Sequence, residues 1–137
     1  MLECLVIGDS IAQGVGQHLP RCRVIAQSGV TSSAFVHSHG ALPKSRRVLI
    51  SLGSNDNSNF SLIYGSLRTL RARFDNQTQV CWLLSSNNQR ALGAASQVAR
   101  EHGDCTITMG SHVSADRIHP TAKGYQTLAH QWQTKHR

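Results

Sequence analysis

Ser10 lies just after a short apolar run, in the sequence Gly8-Asp9-Ser10-Ile11. A serine at a strand-to-helix turn can hold its hydroxyl clear of a sheet, beside the free N–H groups and the positive dipole end of the helix. Such a hydroxyl can act as a nucleophile when a base lies next to it. A simple helix cap by Asp9 or Ser10 explains the same residues equally well when they are taken alone.

A candidate base and an acid that could orient it lie near the other end of the chain, in the Asp-Arg-Ile-His-Pro sequence of residues 116–120. The spacing allows the Asp116 carboxylate to accept a hydrogen bond from Nδ1–H of His119 while Nε2 points outward. The aspartate alone has a simpler explanation, because helix N-termini attract carboxylates. His112 lies on the same segment and could line a pocket or compete as the base.

Two further segments could donate hydrogen bonds to a developing negative charge. Gly29 allows the backbone to approach a ligand closely and to donate through its N–H group. Asn55, in the sequence Gly53-Ser54-Asn55-Asp56, offers a side-chain amide. Taken alone, a tight turn at Gly29 and an Asx-turn at Asn55 are the simpler explanations.

Short apolar runs alternate with segments of helical period, and these elements must position the chemical groups. The runs are continuous, which is typical of strands buried on both faces of a parallel sheet. The predicted strands cover residues 4–7, 22–26, 48–52, 80–84 and 105–109.

Helices are predicted between the strands from apolar positions three and four residues apart. Thr31 or Ser32 is the expected N-cap of a short helix, Gly103 is expected just past the end of another, and Pro120 suits the first turn of the last. A glycine-containing segment at 12–19 follows Ser10, and the predicted helices cover residues 31–37, 60–74, 89–102 and 120–135.

This alternation predicts an α/β fold in which helices cover both faces of a five-stranded parallel sheet, with right-handed crossovers. The 137 residues are expected to form one domain, over 1–137. Trp82, in a strand, and Trp132, in the last helix, are predicted core residues.

Ligands of such sheets bind beyond the carboxyl ends of the strands. The four chemical segments all follow predicted strands, the first, second, third and fifth.

In this combination and order, the segments resemble the four sequence blocks of the SGNH (GDSL-type) hydrolase family. The resemblance extends over residues 8–120 and implies a flavodoxin-like α/β/α sandwich, in agreement with the predicted elements. The chain is shorter than most members, which predicts that insertions forming a substrate pocket or lid are missing. The matching segments are Gly8-Asp9-Ser10-Ile11, Gly29, Gly53-Ser54-Asn55-Asp56 and Asp116-Arg117-Ile118-His119-Pro120.

The resemblance also implies a role for each residue. Ser10 is the nucleophile, His119 is its base, and Asp116 holds the tautomer of His119. An oxyanion hole is formed by the N–H groups of Ser10 and Gly29 and by the side chain of Asn55. The implied activity is that of a serine esterase that needs no metal or organic cofactor. The residues expected to support the site without taking part in the chemistry are Asp9, Gly53 and Asp56.

The substrate is expected to be an acyl ester with a short acyl group, such as acetyl, on a carbohydrate or a cell-wall glycan. The compact chain and its low aromatic content of 5% leave little apolar wall for a long acyl tail. Lysophospholipase and thioesterase activities, which also occur in the family, stay open as alternatives.

The basic charge balance allows a second hypothesis, a binder of an anionic polymer such as a glycan or nucleic acid. Lys and Arg number 14 against 7 Asp and Glu, which gives a net charge of +7. A solvated basic surface explains the same balance, and scarce aromatic residues make nucleic acid an unfavourable partner. The arginines form separate groups at Arg21/Arg23, Arg46/Arg47 and Arg68/Arg71/Arg73.

The four cysteines, which form no C-x-x-C pair, are Cys4, Cys22, Cys81 and Cys105. Free buried thiols in a reducing compartment are the favoured interpretation, although the spacing alone also allows two disulfides. A zinc site is disfavoured without closely spaced ligands.

Neither a signal peptide nor an apolar run of about 18 residues is visible. The protein is therefore expected in the cytoplasm, unless it leaves by a route that the sequence does not encode.

Overall fold

The computed structural model describes residues 1–110 and 113–135, in which strands and helices alternate along the chain. The strands are β1 (Leu2–Gly8), β2 (Arg23–Ala26), β3 (Ser45–Ser51), β4 (Gln79–Leu84) and β5 (Cys105–Thr108). They form one sheet in the order β2-β1-β3-β4-β5, and every neighbouring pair is parallel. The predicted α/β fold with a five-stranded parallel sheet is confirmed.

The helices form two layers, one on each face of the sheet. Their bounds are α1 (Ser10–Gly16), α2 (Ser32–Ser38), α3 (Phe60–Arg71), α4 (Gln89–His102) and α5 (Ala122–Thr134). Helices α2, α3 and α4 pack on one face, and α1 and α5 pack on the other. Within the described ranges, no helix has the length and apolar character needed to cross a bilayer.

The core lies on both sides of the three central strands. In β1, Leu5 and Ile7 pack beneath α2, α3 and α4, whereas Val6 packs beneath α1 and α5. Trp82 and Trp132 are buried, as predicted. The edge strands β2 and β5 are short and partly exposed, so the prediction of burial on both faces is wrong for these two. An edge strand has a neighbouring strand on one flank alone, so more of its surface stays open to solvent.

Local capping signals place most helix ends where the sequence predicts them. Thr31 caps α2, and Gly103 ends α4 with a φ of +67°, a left-handed conformation that favours glycine. The prediction for Pro120 is wrong, because the hydroxyl of Thr121 caps α5 and the helix begins after it. Pro120 lies just before this cap and forms an isolated bridge with Val113.

All four cysteines are paired in disulfides, so the expectation of free thiols is wrong. Cys4 on β1 is bonded to Cys22, which precedes β2, and Cys81 on β4 is bonded to Cys105, the first residue of β5. Each bond joins a short edge strand to its inner neighbour. The sequence pattern could not reveal the pairing, because apolar surroundings are common to buried thiols and disulfides.

The start of β5 is also fixed on the other face of the sheet, through Asp104. Its carboxylate accepts hydrogen bonds from Nε and Nη2 of Arg71, at 2.8 and 3.0 Å, and from Nε1 of Trp82, at 3.0 Å. The Arg71 and Asp104 side chains are almost fully buried. Removal of one partner would leave a buried charge uncompensated, which is strongly destabilising.

The two disulfides should contribute separately to the stability of the fold. They join residues 18 and 24 positions apart, for which the chain-entropy treatment gives about 3 kcal/mol each. In thermal unfolding without reductant, a Cys4→Ser/Cys22→Ser variant should therefore melt about 10 °C below the wild type. Titration of free thiols in the unfolded, unreduced wild type provides the control. Four reactive thiols in that sample would contradict both disulfides.

Candidate active site

Ser10 begins α1 at the carboxyl end of β1, and the preceding residue determines how the chain turns there. Asp9 caps the helix, and its Oδ1 accepts hydrogen bonds from the N–H groups of Ile11, at 3.0 Å, and Ala12, at 3.4 Å. The same oxygen accepts from the hydroxyl of Ser51 on β3, at 3.1 Å. This buried carboxyl group therefore fixes the turn that carries the Ser10 hydroxyl.

Gly8 allows this turn to lie close to the neighbouring strand. Its φ is +137°, and a Cβ atom at this position would lie 1.8 Å from the carbonyl oxygen of Ser51. The N–H group of Asp9 donates to that oxygen at 3.0 Å. Both the backbone conformation and the close approach require glycine here.

The carboxyl group of Asp9 is unusual in its protonation. Burial raises its pKa from 3.8 to about 6, outweighing the hydrogen bonds from Ser51, Ala12 and Ile11, which lower it. Its second oxygen, Oδ2, is buried without a hydrogen-bond partner among the described residues. The group beside Ser10 therefore holds its proton at a pH where an ordinary aspartate is ionised.

His119 and Asp116 belong to the loop between β5 and α5, and the structure brings both to Ser10. The distance from Ser10 Oγ to His119 Nε2 is 2.9 Å, and the distance from His119 Nδ1 to Asp116 Oδ2 is 2.8 Å. The serine and the histidine are 109 positions apart in sequence. A hydroxyl, an imidazole and a carboxylate in this series can transfer the serine proton to the ring while the carboxylate stabilises the charged imidazolium.

Hydrogen bonds keep Asp116 ionised. Its carboxylate accepts from the His119 ring, from the N–H groups of Ile118, at 2.8 Å, and His119, at 2.9 Å, and from the Ser114 hydroxyl, at 2.9 Å. These contacts, the His119 ring foremost, hold the pKa of Asp116 well below its usual value. The side chains of His119 and Asp116 are 43% and 47% exposed, so the pair is open to solvent.

The loop that carries this pair is fixed by its own backbone and by a neighbouring loop. The N–H group of Ser114 donates to the carbonyl oxygen of His119 at 2.7 Å, and the Ser86 hydroxyl donates to that of Arg117 at 3.2 Å. Arg117 has a φ of +60°, which is uncommon for a residue with a side chain. His112 lies outside the described residues, and its possible role stays a prediction.

Gly29 and Asn55 follow β2 and β3, the two strands that flank β1 in the sheet. Nδ2 of Asn55 donates to the carbonyl oxygen of Val30 at 3.1 Å, which places this amide beside the Gly29 turn. Gly29 has a φ of +78°, and a Cβ atom there would meet nothing within 4 Å. The left-handed conformation, rather than lack of space, is therefore what favours glycine at this position.

Asp56 and Gly53 hold the segment around Asn55. Asp56 accepts from the N–H group of Ser32 at 2.8 Å and from the Ser32 hydroxyl, which ties this segment to the start of α2 just beyond the Gly29 turn. Gly53 has a φ of +113°, and a Cβ atom there would lie 2.5 Å from Cβ of Ala91 on α4. Both residues thus hold the segment around Asn55 in place, Asp56 through hydrogen bonds and Gly53 through close packing.

Three side chains that support the site were not predicted as such from the sequence. Ser51 donates to the cap Asp9, Ser32 is bound by Asp56, and Nδ2 of Asn88 donates to the carbonyl oxygens of Gly53 and Asp56. A serine near the end of an apolar run was the available signal for Ser51. No local pattern indicates the contacts of Asn88, because its partners lie more than 30 residues away.

The groups that meet at the site do not form a cluster of metal ligands. Across residues 1–110 and 113–135, no set of three His, Cys, Asp or Glu side chains is gathered as a bound metal ion requires. The arrangement is instead a linear series of hydrogen bonds from a hydroxyl to a carboxylate.

The raised pKa of Asp9 predicts a pH dependence of stability. Between about pH 4 and pH 6 the folded protein keeps a proton that the unfolded chain releases, so the free energy of unfolding should fall as the pH rises. The Asp9→Asn variant keeps a capping oxygen but cannot ionise. Relative to the wild type, it should gain on the order of 2–3 kcal/mol between pH 4 and pH 7. Urea unfolding of both proteins at several pH values measures this, and parallel profiles would contradict the assignment.

Solved structures share this architecture, whereas no family model and no curated protein matches the chain. A member of the lipolytic protein G-D-S-L family from Veillonella parvula has a TM-score of 0.71 and 15% identity, over 98% of both chains. The inhibitor-bound aryl esterase of M. smegmatis has a TM-score of 0.67 and 16% identity, over 98% of this chain and 99% of its own. The catalytic domain of peptidoglycan O-acetyltransferase A from Streptococcus pneumoniae has a TM-score of 0.65 and 16% identity, over 97% and 91%. The chain therefore has the fold of the SGNH (GDSL-type) hydrolases, the family that its sequence resembles.

Proposed function

We propose that this chain is a serine ester hydrolase in which Ser10 forms an acyl-enzyme intermediate. The observation that carries the proposal is the 2.9 Å contact between Ser10 Oγ and His119 Nε2, with Asp116 on the other side of the imidazole. A free serine hydroxyl is a poor nucleophile at neutral pH, and an adjacent imidazole activates it. Local hydrogen bonds hold the serine turn and the loop of the base independently, which supports a site formed before substrate binds.

The reaction follows from these contacts in two steps. Ser10 Oγ attacks the ester carbonyl carbon while His119 Nε2 takes its proton, and Asp116 stabilises the imidazolium. The bond to the leaving alcohol then breaks, and His119 gives the proton to that oxygen. In the second step His119 takes a proton from a water molecule, which attacks the acyl carbon. The bond from that carbon to Ser10 Oγ then breaks, and His119 returns the proton to Oγ.

Three donors are proposed to stabilise the oxyanion of each tetrahedral intermediate. They are the N–H groups of Ser10 and Gly29 and the side-chain amide of Asn55. One N–H of Asn55 is bound by the Val30 carbonyl, which fixes the plane of the amide and leaves its second N–H for the substrate. Each such donor typically lowers the barrier by about 3–4 kcal/mol.

The proposed substrate is an ester of a short acyl group, such as acetyl, on a carbohydrate or a cell-wall glycan. Two of the structures that share the fold are an esterase and a peptidoglycan O-acetyltransferase, which supports an acyl ester and, in the second case, a glycan acceptor. The exposure of the His119 and Asp116 side chains supports a large acceptor, because a base that is open to solvent leaves room for a bulky alcohol beside it. The low aromatic content supports a small acyl group.

The alternative of an anionic-polymer binder rests on the net charge, and several of the arginines contribute to the fold instead. Arg71 is buried in its ion pair with Asp104, and Arg73 donates to two backbone carbonyl groups at the end of α2. Arg47 lies over the Trp132 ring, 4.5 Å from its centroid. These contacts within the fold account for arginines in two of the three basic groups, so no bound polymer is needed to explain them. The hydrolase is therefore the favoured function.

The two disulfides bear on where the reaction would take place. Disulfides persist in oxidising compartments and are rare in the cytosol. They therefore favour a location outside the reducing cytoplasm over the cytoplasmic location that the sequence predicts.

Labelling with a fluorophosphonate probe tests the nucleophile and the base together. The probe should label the wild type, should not label Ser10→Ala, and should label His119→Ala slower by about 10³-fold or more. Ser33→Ala, which alters an exposed serine on α2, is the matched control and should label like the wild type. If Ser10→Ala hydrolyses p-nitrophenyl acetate as fast as the wild type, the proposed function is wrong.

A panel of p-nitrophenyl esters from acetate to octanoate tests the acyl group. The value of kcat/KM should be highest for acetate and should fall as the chain lengthens, because a longer tail finds little apolar surface. A rate that climbs towards octanoate would reject the short acyl group and favour a lysophospholipase or thioesterase.

A further inference from the structure

Gly14 lies four residues after Ser10 on α1, so the two residues share one face of the helix. A Cβ atom at Gly14 would lie 2.3 Å from Cε1 of Tyr125 on α5, and 2.5 and 2.8 Å from the next two ring atoms. These distances are far shorter than van der Waals contact. The Tyr125 ring therefore occupies the space that any other side chain at position 14 would need.

Tyr125 is connected to the base through the first turn of α5. Its N–H group donates to the carbonyl oxygen of Thr121, the N-cap of the helix, at 2.9 Å. His119 precedes this cap by two residues. Two contacts therefore join α1 to α5 and to the loop just before it. Ser10 contacts His119 of that loop, and about one helical turn further along α1, Gly14 contacts Tyr125 of α5.

The electrostatics of Tyr125 agree with a position close to the site. Burial raises the pKa of its hydroxyl, and the negative charges of Asp9 and Asp116 raise it further. The ring is half-buried, with its polar end influenced by the carboxyl groups on both sides of the Ser10–His119 pair.

We propose that the contact between Gly14 and Tyr125 sets the distance between Ser10 and His119, which makes Tyr125 a positioning residue for the reaction. This inference rests on the proposed function and adds the element that aligns the nucleophile with its base. The His119 side chain is 43% exposed, so close packing around the ring cannot fix its place. The hydrogen bonds of its loop fix the shape of that loop, and the distance from α5 to α1 then sets how near the loop lies to Ser10. The contact of the Tyr125 ring with the bare backbone at Gly14 limits how closely the two helices approach.

The variant Gly14→Ala places one methyl group where the ring lies, so the ring must shift, and under this proposal α5 moves away from α1 with it. A displacement of about 1 Å at a reacting pair can lower the rate by about 10²-fold. We expect kcat for p-nitrophenyl acetate to fall by about that factor, with KM within about threefold of the wild type, since substrate binding is not the property altered. The rate of fluorophosphonate labelling should fall in parallel.

Gly65→Ala is the matched control, because it makes the same substitution on α3, where nothing lies within 4 Å of the added atom. It should leave kcat unchanged. The double variant Gly14→Ala/Tyr125→Ala removes the ring that the methyl group meets. Its kcat should therefore equal that of Tyr125→Ala alone, with no further loss from the methyl group. Such non-additivity shows that the two residues are coupled.

Tyr125→Ala also tests the contact if Gly14→Ala does not fold, because loss of the ring leaves the distance between the helices unfixed and should lower kcat more than it raises KM. Wild-type kcat in folded Gly14→Ala or in Tyr125→Ala would overturn this inference while leaving the proposed function in place. A wild type that neither hydrolyses esters nor reacts with the probe would overturn the proposed function, and this inference with it.

Discussion

The hydrogen bond between Ser10 and His119 joins groups from nearly opposite ends of the chain, and most of the fold is needed to form it. Ser10 follows the first strand and His119 follows the last, while β3 and β4 lie between those strands in the sheet. Parallel strands end at one common edge, so both groups arrive on the same side. His119, which lies between β5 and α5, then contacts Ser10 at the start of α1. The order and direction of the strands are therefore requirements of the site as much as of the core.

The two edge strands are the least supported parts of the sheet, yet both lead into the site. β2 leads to the Gly29 turn and β5 to the loop of His119, and each has four residues with one neighbouring strand. Few ladder hydrogen bonds and little apolar burial hold such strands. The disulfides lie at their amino ends, where each edge strand begins, and Asp104 fixes β5 from the other face. Covalent bonds thus reinforce the strands that lead to the Gly29 turn and to the loop of His119.

Most features that depend on neighbouring residues can be predicted from the sequence, whereas contacts that depend on strand order cannot. Thr31 and Gly103 were recognisable because a cap acts within one helical turn. The pairing of Cys4 with Cys22 depends on β2 lying beside β1, which no local pattern states. The role of Asn88 likewise depends on the proximity of two loops. The site segments were recognisable as a set because their order and strand-end positions agree, whereas the contact of Ser10 with His119 required the folded chain.

The two aspartates beside the Ser10–His119 pair show why residue type alone does not assign a role. A carboxylate that stabilises an imidazolium must be ionised when the reaction occurs. Asp116 meets this condition through four hydrogen bonds to its charged form, although it is half exposed. Burial raises the pKa of Asp9 to about 6, so its charged form is less favourable than that of an ordinary aspartate. Its environment suits a group that fixes the start of α1, whereas the environment of Asp116 suits the proposed stabilisation of an imidazolium charge.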